Sequence, residues 1–565
     1  MRYPTIVAVS ALASIPSTFA TPLHKRQING TMAYDFDSLT PSPDIQWTPC
    51  FDQFTCTVLD VPLDYEDESV GTVGIAFVRW STNSTSNSTQ DILVNPGGPG
   101  ASGVQLLIGG LSTLHQIVGT DYNIVGFDPR GVNNSGPDLS CFSGQEGTFR
   151  LYDEDFGYPT DVNDTKALMR TWKEAGAFGD WCSQVHSGEN STAKYANTVA
   201  TATDMLHYTE LLAKSKGENP EESQLWYYGA SYGTVLGSTF AALFPNRVGR
   251  LILDGVVDVE DYYQGKWQAN IPDADEAFAT FFTYCFEAGN EACVFWDSSV
   301  EAIEARFHSV RDKLAEEPIM VTNPSAVQYP VIVTIETFKY VLTQVPYFPN
   351  TYYPLFGRIL AELEQGNGSL LAQTAGVGLH IDECSGPNID DIPDLEPRHF
   401  IACTDGNGRF NLSTFDSFRE HVELMVDESE YLGESWAAGT SVNCRNLNIK
   451  APESQVFTGT PSANTTSNPI LLLSTKLDPV TPLRAAEKMV KQFGGSRLLV
   501  QDSVGHTTTS AASTCTWDYI RKYLKDGSLP EKGTVCEAEE IPFQTSNSVT
   551  TTSESVKILR KRHHV

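Results

Sequence analysis

The sequence predicts an α/β fold, a mostly parallel sheet flanked by helices, broken by one long and largely helical insertion. Three observations predict it. Short apolar runs end in glycine-rich turns: DILV at 91–94 leads into NPGGPGASG, YNIVGF at 122–127 into DPRG, and RLIL at 250–253 into DGVVD. Strands buried on both faces read as such continuous apolar runs, and a parallel sheet carries its chemistry at their C-terminal ends. LWYYGASYGTVLG, residues 225–237, reads as a strand, a sharp turn and a helix. From 260 to about 440 this rhythm gives way to helical spacing and aromatic residues, and it resumes at PILLL, 469–473.

Taken in order, residues 1–20 read as a secretory signal: Arg2, the apolar run 6–12, and Thr18-Phe19-Ala20 as the cleavage site. Lys25-Arg26 closes a short pro-segment, 21–26. Residues 27–259 form the first part of the core. Apolar residues fall at strand spacing over 73–80 and at helical spacing over 197–214, and the polar, cysteine-bearing stretch 138–195 reads as an insertion. A cap domain follows at 260–440, after the sixth strand, with helices over 274–287, 300–314 and 355–365. Residues 441–543 complete the core, with a strand at 497–501, and the Ser/Thr-rich end, 544–565, reads as a disordered tail.

Composition limits the function. The chain has 565 residues, and 70 acidic against 38 basic ones give a net charge of −32. Such a surface repels nucleic acid and anionic membranes. No run after the leader is long and apolar enough to span a bilayer. Hydrophobic residues at 41% indicate a packed core. N-x-[ST] acceptors occur at Asn29, Asn83, Asn87, Asn133, Asn163, Asn190, Asn367, Asn411 and Asn464, as in a secreted glycoprotein. Of eleven cysteines, close spacing pairs Cys50 with Cys56, Cys285 with Cys293 and Cys515 with Cys536, and Cys141 with Cys182 across one loop. Cys384, Cys403 and Cys444 remain, so one thiol is expected to be unpaired. No spacing resembles a zinc site, and no metal or cofactor is expected.

Gly229-Ala230-Ser231-Tyr232-Gly233 is G-x-S-x-G at a strand-to-helix turn, the nucleophile elbow of α/β-hydrolases. A serine that attacks must stand on a strained turn clear of its neighbours, and the flanking glycines remove Cβ atoms where strand and helix approach. The pentapeptide alone is also compatible with an ordinary glycine-rich turn, so partners are needed. Asp478 follows the strand at 469–473, and His506 follows the strand at 497–501. One helix and one strand separate the two, and the chain order Ser, Asp, His is that of this fold. Asp254 is the rival acid, since it too ends a strand; Asp258 and Asp502 are more distant rivals. The other histidines lie before the elbow, in the cap or in the terminal segments. The Tyr232 N–H with the N–H of Gly98, or of Gly97, is the expected oxyanion hole.

These residues resemble a known family. NPGGPGASG, GFDPRGVNNSGP, YANTVATATDMLHYTELL leading into YYGASYGTVLG, FPNRVGRLILDGVVD, and LLLSTKLDPVTP with VGHTT are similar to secreted tripeptidyl aminopeptidases, serine exopeptidases of the α/β-hydrolase superfamily related to prolyl aminopeptidases. The resemblance implies an α/β-hydrolase fold with a helical cap, and a TAP-like region over 441–543. It implies Ser231 as nucleophile, Asp478 as acid and His506 as base. It also implies release of short peptides from free N-termini, with cap acids holding the substrate amine. Where the prolyl aminopeptidases carry HGGPG, Pro96 here replaces the histidine. The expected function is a secreted serine aminopeptidase acting on peptide substrates. A carboxylesterase or lipase with the same triad is the second reading, and an inactive hydrolase fold used for binding is the third.

Overall fold

A computed structural model describes residues 32–82, 89–142, 159–378 and 395–544. The chain enters as an antiparallel meander, β1 (Thr48–Cys50), β2 (Phe54–Pro62) and β3 (Thr72–Trp80). Then come β4 (Asp91–Asn95), α1 (Gly103–Val118), β5 (Asn123–Phe127), α2 (Thr165–Val185), α3 (Thr198–Lys216), β6 (Leu225–Ala230), α4 (Tyr232–Leu243) and β7 (Val248–Asp254). The interruption holds α5 (Val259–Gln264), α6 (Ala274–Ala288), α7 (Val300–Glu316), the hairpin β8 (Ile319–Val321) and β9 (Val331–Val333), and α8 (Ile335–Gln344). It continues with α9 (Pro349–Glu364), α10 (Ser369–Ala375), α11 (Leu395–Gly406), α12 (Phe415–Glu428) and α13 (Gly433–Gly439). β10 (Leu471–Leu477), α14 (Leu483–Met489), β11 (Arg497–Val504), α15 (Thr514–Asp526) and β12 (Val535–Glu537) complete the fold.

Ten strands form one sheet in the order β1-β2-β3-β5-β4-β6-β7-β10-β11-β12. From β5 through β12 every neighbouring pair is parallel. Alternate residues feed two cores. Leu93, Val125, Leu251, Leu253 and Leu472 face one side, and Ile92, Val94, Ile124, Ile252, Leu471 and Leu473 the other. α3 and α4 cover the first face, while α1 and α15 cover the second. The observed architecture is the expected α/β-hydrolase arrangement. Seven strands precede the interruption rather than six; neither β1, only three residues long, nor β2 is among the runs singled out as strands in the sequence.

The stretch read as one cap, 260–440, splits between two cores. Residues from Phe278 to Ala372 build an aromatic core of their own, in which Phe278, Phe281, Phe307 and Phe356 pack ring to ring. Phe400, Phe418, Met425 and Trp436 instead join the core under the sheet. α2 joins them there. Its buried positions Leu168, Trp172, Ala175, Gly176, Phe178, Gly179 and Cys182 keep near-helical spacing, but the small residues among them make the stripe faint in sequence. The small residues have a purpose: a Cβ on Gly179 would lie 2.1 Å from the Arg445 carbonyl oxygen.

Five disulfides are present: Cys50–Cys56, Cys141–Cys182, Cys285–Cys293, Cys403–Cys444 and Cys515–Cys536. The first, second, third and fifth are the expected pairs. The fourth pairs two of the three cysteines left unassigned, and the third, Cys384, lies outside the described residues. Cys141–Cys182 and Cys403–Cys444 each close 41 residues and tie α2 and α11 to the body. A loop of that length is worth about 4 kcal/mol per bond in the chain-entropy account.

Also outside the described residues lie the signal and pro-segment, Asn29, Asn83, Asn87 and the tail from 545. Asn163, Asn190, Asn367, Asn411 and Asn464 are exposed. Asn133 is half-buried, at φ 45°, and its amide donates to Ser102 Oγ at 3.3 Å. Among the described residues, no helix is long and apolar enough to cross a membrane and no cluster of side chains could hold a metal ion.

Candidate active site

The parallel strands all point their C-terminal ends to one edge, and the residues singled out in the sequence meet there. β6 ends at Ala230, and Ser231 turns the chain into α4 with φ 55° and ψ −124°. A non-glycine residue holds such angles only where its surroundings impose them. Here the Ser231 N–H donates to the Asp254 carbonyl at 2.9 Å, and the Ser231 carbonyl accepts from the Thr234 N–H at 2.8 Å and the Thr234 hydroxyl at 2.6 Å. A Cβ on Gly229 would lie 2.5 Å from the Gly233 carbonyl oxygen, so strand and helix could not approach with a side chain there. The elbow is therefore a built turn.

His506 follows β11 and is 2% exposed. Its ring stacks edge-on to Tyr347, with centroids 5.1 Å apart, and its backbone N–H donates to the Tyr347 carbonyl at 2.8 Å. Nδ1 lies 3.1 Å from both carboxylate oxygens of Asp478, which is fully buried. Asp478 also accepts from the N–H groups of Val480 (3.0 Å), Thr481 (2.8 Å) and Thr507 (2.9 Å), and from the Thr481 hydroxyl (2.7 Å). Burial pushes this carboxyl up, but the adjoining imidazole and these donors more than offset it, and Asp478 sits below the usual carboxylate range. An ionised Asp478 makes Nδ1 the protonated ring nitrogen and leaves Nε2 with a free lone pair.

Asp254, the rival acid, is equally buried but does not touch His506. It accepts from the Thr508 N–H at 2.9 Å, the Thr508 hydroxyl at 2.6 Å and the Tyr228 hydroxyl at 2.6 Å. Burial raises its carboxyl above the usual range, the three donors reducing the rise. Asp258 caps α5 and pairs with Lys488, while Asp502 pairs with Lys476. Neither reaches His506.

The loop after β4 lies against the elbow. A Cβ on Gly97 would sit 2.8 Å from Ser231 Cβ and 2.9 Å from the Tyr232 nitrogen, so only glycine lets the two loops stack. The Gly97 N–H is taken by Asn95 Oδ1 at 3.0 Å. The N–H groups of Gly98 and Tyr232 have no partner among the described residues, so Gly98 is the better of the two expected donors. Asp128 of the DPRG turn braces this loop by accepting from Ser102 Oγ at 2.5 Å and from the Val104 N–H at 3.2 Å. Arg130 of the same turn is fully buried and holds Asp204 through two bonds of 2.7 Å.

Sequence reading missed two groups. Thr481 bridges the acid and the base, its hydroxyl 2.7 Å from Asp478 Oδ2 and 3.1 Å from His506 Nδ1. Its only signal is its place three residues after Asp478. The second is Asp405 on α11, which accepts from Thr198 and from the Tyr262 hydroxyl. Thr198 Oγ1 lies 2.6 Å from the Tyr232 hydroxyl, so the network ends on the first residue of α4. Burial raises Asp405 to about 6, its three donors only partly opposing it.

Ser231, His506, Gly98 and Tyr232 line one cavity of about 160 Å³. Tyr262, Trp267, Tyr340, Tyr347 and Trp436 wall it, and Arg398 of α11 reaches it. No aspartate or glutamate is among its described lining residues. Glu434, next to the lining Ser435, is occupied by Lys339 and by the Val162 N–H. The amine-holding acids implied by the resemblance are therefore not found in this lining. A hydroxyl on a strained turn, a buried Asp–His pair and two free N–H groups around one cavity form a set suited to acyl transfer.

Comparison with known proteins places the chain beside hydrolases. Residues 429–536 match the family model described as TAP-like protein. The chain is 27% identical over 516 residues to serine protease Hip1 of Mycobacterium tuberculosis, covering 87% of this chain and 91% of that protein. It is 26% identical over 515 residues to tripeptidyl aminopeptidase of Streptomyces coelicolor, covering 88% and 87%. It is 24% identical over 490 residues to carboxylesterase B of Mycobacterium tuberculosis, covering 85% and 86%. Sheet order, elbow and these likenesses lead to one conclusion: the chain is an enzyme with the α/β-hydrolase fold and a TAP-like region over residues 429–536.

Proposed function

We propose that the chain is a serine peptidase that releases short peptides, tripeptides by analogy with one relative, from free N-termini through an acyl-enzyme on Ser231. The observation that carries the reading is that His506, paired with the buried Asp478, lines the same cavity as the strained Ser231. His506 Nε2 takes the hydroxyl proton as Ser231 Oγ attacks the carbonyl carbon. Asp478 stabilises the imidazolium that forms and keeps its orientation. The tetrahedral oxyanion accepts from the N–H groups of Tyr232 and Gly98, at the N-terminus of α4, where the helix dipole favours negative charge. His506 then protonates the leaving amine, the acyl-enzyme forms, and water activated by the same imidazole hydrolyses it.

The peptide reading rests on the relatives named as a serine protease and a tripeptidyl aminopeptidase, and exopeptidase action rests on the second name alone. Ester hydrolysis is the second reading, favoured by the relative named carboxylesterase B and by an aromatic cavity with no acid among its described walls. Five disulfides fit an oxidising, secreted setting. Free-amine and N-blocked tripeptide anilides and a short-chain ester, offered to wild type and Ser231→Ala, decide among these. Cleavage of the free-amine peptide, lost in Ser231→Ala, is the expected result. Ester turnover alone moves the reading to an esterase, equal cleavage of blocked peptides removes the N-terminal requirement, and activity surviving in Ser231→Ala removes the triad.

A further inference from the structure

Among its described lining residues the cavity holds one permanent charge, and that charge has no partner among the described residues. Arg398 lies in the first turn of α11, half-buried, and lines the space shared with Ser231 and His506. Every other buried or half-buried arginine among the described residues is paired with a carboxylate or donates to a backbone carbonyl. Arg398 does neither there, although the chain carries 70 acidic residues against 38 basic ones. In a protein this acidic, a guanidinium that only needed neutralising would be expected to meet a carboxylate. A charge kept half out of water without one is costly unless something else supplies the anion.

We propose that Arg398 anchors a carboxylate carried by the substrate, and that the cavity therefore selects anionic over neutral substrates. The planar guanidinium fits a carboxylate through two parallel hydrogen bonds. The cavity it shares with Tyr262, Trp267, Tyr347 and Trp436 is rich in aromatic side chains, and such apolar walls strengthen a charge pair. Its position is close to the chemistry. Burial raises the Tyr347 hydroxyl and the charge of Arg398 opposes that rise, while the Tyr347 ring packs on His506. No carboxylate among the described lining residues competes for the guanidinium, and none would repel the incoming anion. The carboxylate has two sources in peptide chemistry: an acidic side chain beside the scissile bond, or the free C-terminus of a short peptide. The inference rests on the reading of Ser231 as the reacting group only in placing the substrate, and binding tests it without turnover.

The experiment uses the full chain as wild type, Arg398→Gln and Arg398→Lys, each also with Ser231→Ala for binding. Two matched tripeptide pairs are titrated, with the fluorescence of Trp267 and Trp436 as the signal. One pair differs by Glu against Gln, the other by a free against an amidated C-terminus. In the wild type the acidic member of at least one pair binds about tenfold to hundredfold tighter, the range for a hydrogen bond to a charged group. That ratio falls to about one in Arg398→Gln and is retained in part in Arg398→Lys. The pair that responds identifies the source. If Arg398→Gln does not fold, as judged by thermal melting, Arg398→Lys with the wild-type ratios carries the test. Equal binding within both pairs in wild type, or a preference undiminished in Arg398→Gln, overturns the proposal. Preference without turnover by the Ser231 protein leaves the anchor and removes the peptidase, whereas turnover without preference does the reverse.

Discussion

The ends of β7 and β10 lie side by side in the sheet and carry the same residue in nearly the same burial, yet the two carboxyls differ in kind. Asp478 faces an imidazole and gathers three N–H groups and a hydroxyl, so its charged form is stabilised below the usual range. Asp254 faces two hydroxyls and one N–H with no cation bonded to it, and burial raises it. The lesson is that a strand end offers a position, and the partners assign the role. Asp478 can stabilise a cation on His506. Asp254 acts as a clamp, tying Tyr228 under the elbow to Thr508 just past the histidine.

The largest effect tests that difference directly. Asp478→Asn keeps the shape but reverses the preferred imidazole tautomer, and kcat is expected to fall about 10⁴-fold with little change in KM. Asp254→Asn is expected to cost less than about tenfold in kcat and to appear mainly as a lower Tm, equivalent to about 1–3 kcal/mol, because a donor amide now meets the Thr508 and Tyr228 donors. Similar losses of kcat in both variants would erase the distinction.

A third strand end sharpens it from the opposite side of the elbow. β4 contributes backbone where β7 and β10 contribute carboxyls. Gly97→Ala forces a Cβ against Ser231 and the Tyr232 nitrogen at a φ of 110° that side chains avoid. The expected result is a fall in kcat of about 10²–10³-fold, the range for losing one oxyanion donor. Steady-state kinetics beside a thermal melt separates this from unfolding, and unchanged kcat would mean that the β4 loop does not shape the oxyanion site.

Thr481 should be a smaller, positioning contribution. Thr481→Val preserves volume but removes one donor from Asp478 and one contact from His506 Nδ1. We expect kcat to fall about tenfold, with the acidic limb of the pH profile displaced upward because the Asp478 charge loses a hydrogen bond. Thr481→Ser, which restores the hydroxyl, should recover most of both. A fall in kcat with no change in the profile and no recovery in Thr481→Ser would reduce Thr481 to packing.

Legibility in the sequence follows the range of the interaction. Ser231, Asp478 and His506 were readable because each sits where an apolar run meets a turn, a signal contained within a dozen residues. The mostly parallel sheet was readable for the same reason, whereas its strand order was not, because it depends on which distant strands pair. Thr481 had no signal of its own, and Asp405 reaches Thr198 across 207 residues, with no pattern linking α11 to the start of α3. Cys403 and Cys444 stood as unassigned because Cys384 competed for them in sequence, whereas the fold brings their Cα atoms to 5.1 Å. α2 was obscured because glycine, alanine and cysteine form much of its buried stripe, and the division of 260–440 into two cores depends on contacts between distant helices.

Asp405 extends the comparison to a carboxyl that, like Asp254, is buried among donors without a cation bonded to it. Its folded value of about 6 lies above the unfolded value near 4. Between those limits the folded protein holds more protons than the unfolded chain, so this group makes stability fall as pH rises from about 4 through 6. Asp405→Asn has no proton to lose. It sacrifices part of the bonding to Thr198 and Tyr262 at every pH, so it should be less stable than wild type near pH 4. The gap should then close by up to about 3 kcal/mol toward pH 7, since each tenfold difference in acidity between folded and unfolded chain is worth about 1.4 kcal/mol. Chemical denaturation across that range reads the gap. If it stays constant, or widens as pH rises, Asp405 is held ionised as Asp478 is, and hydrogen-bond donors alone can do at this site what His506 does for Asp478.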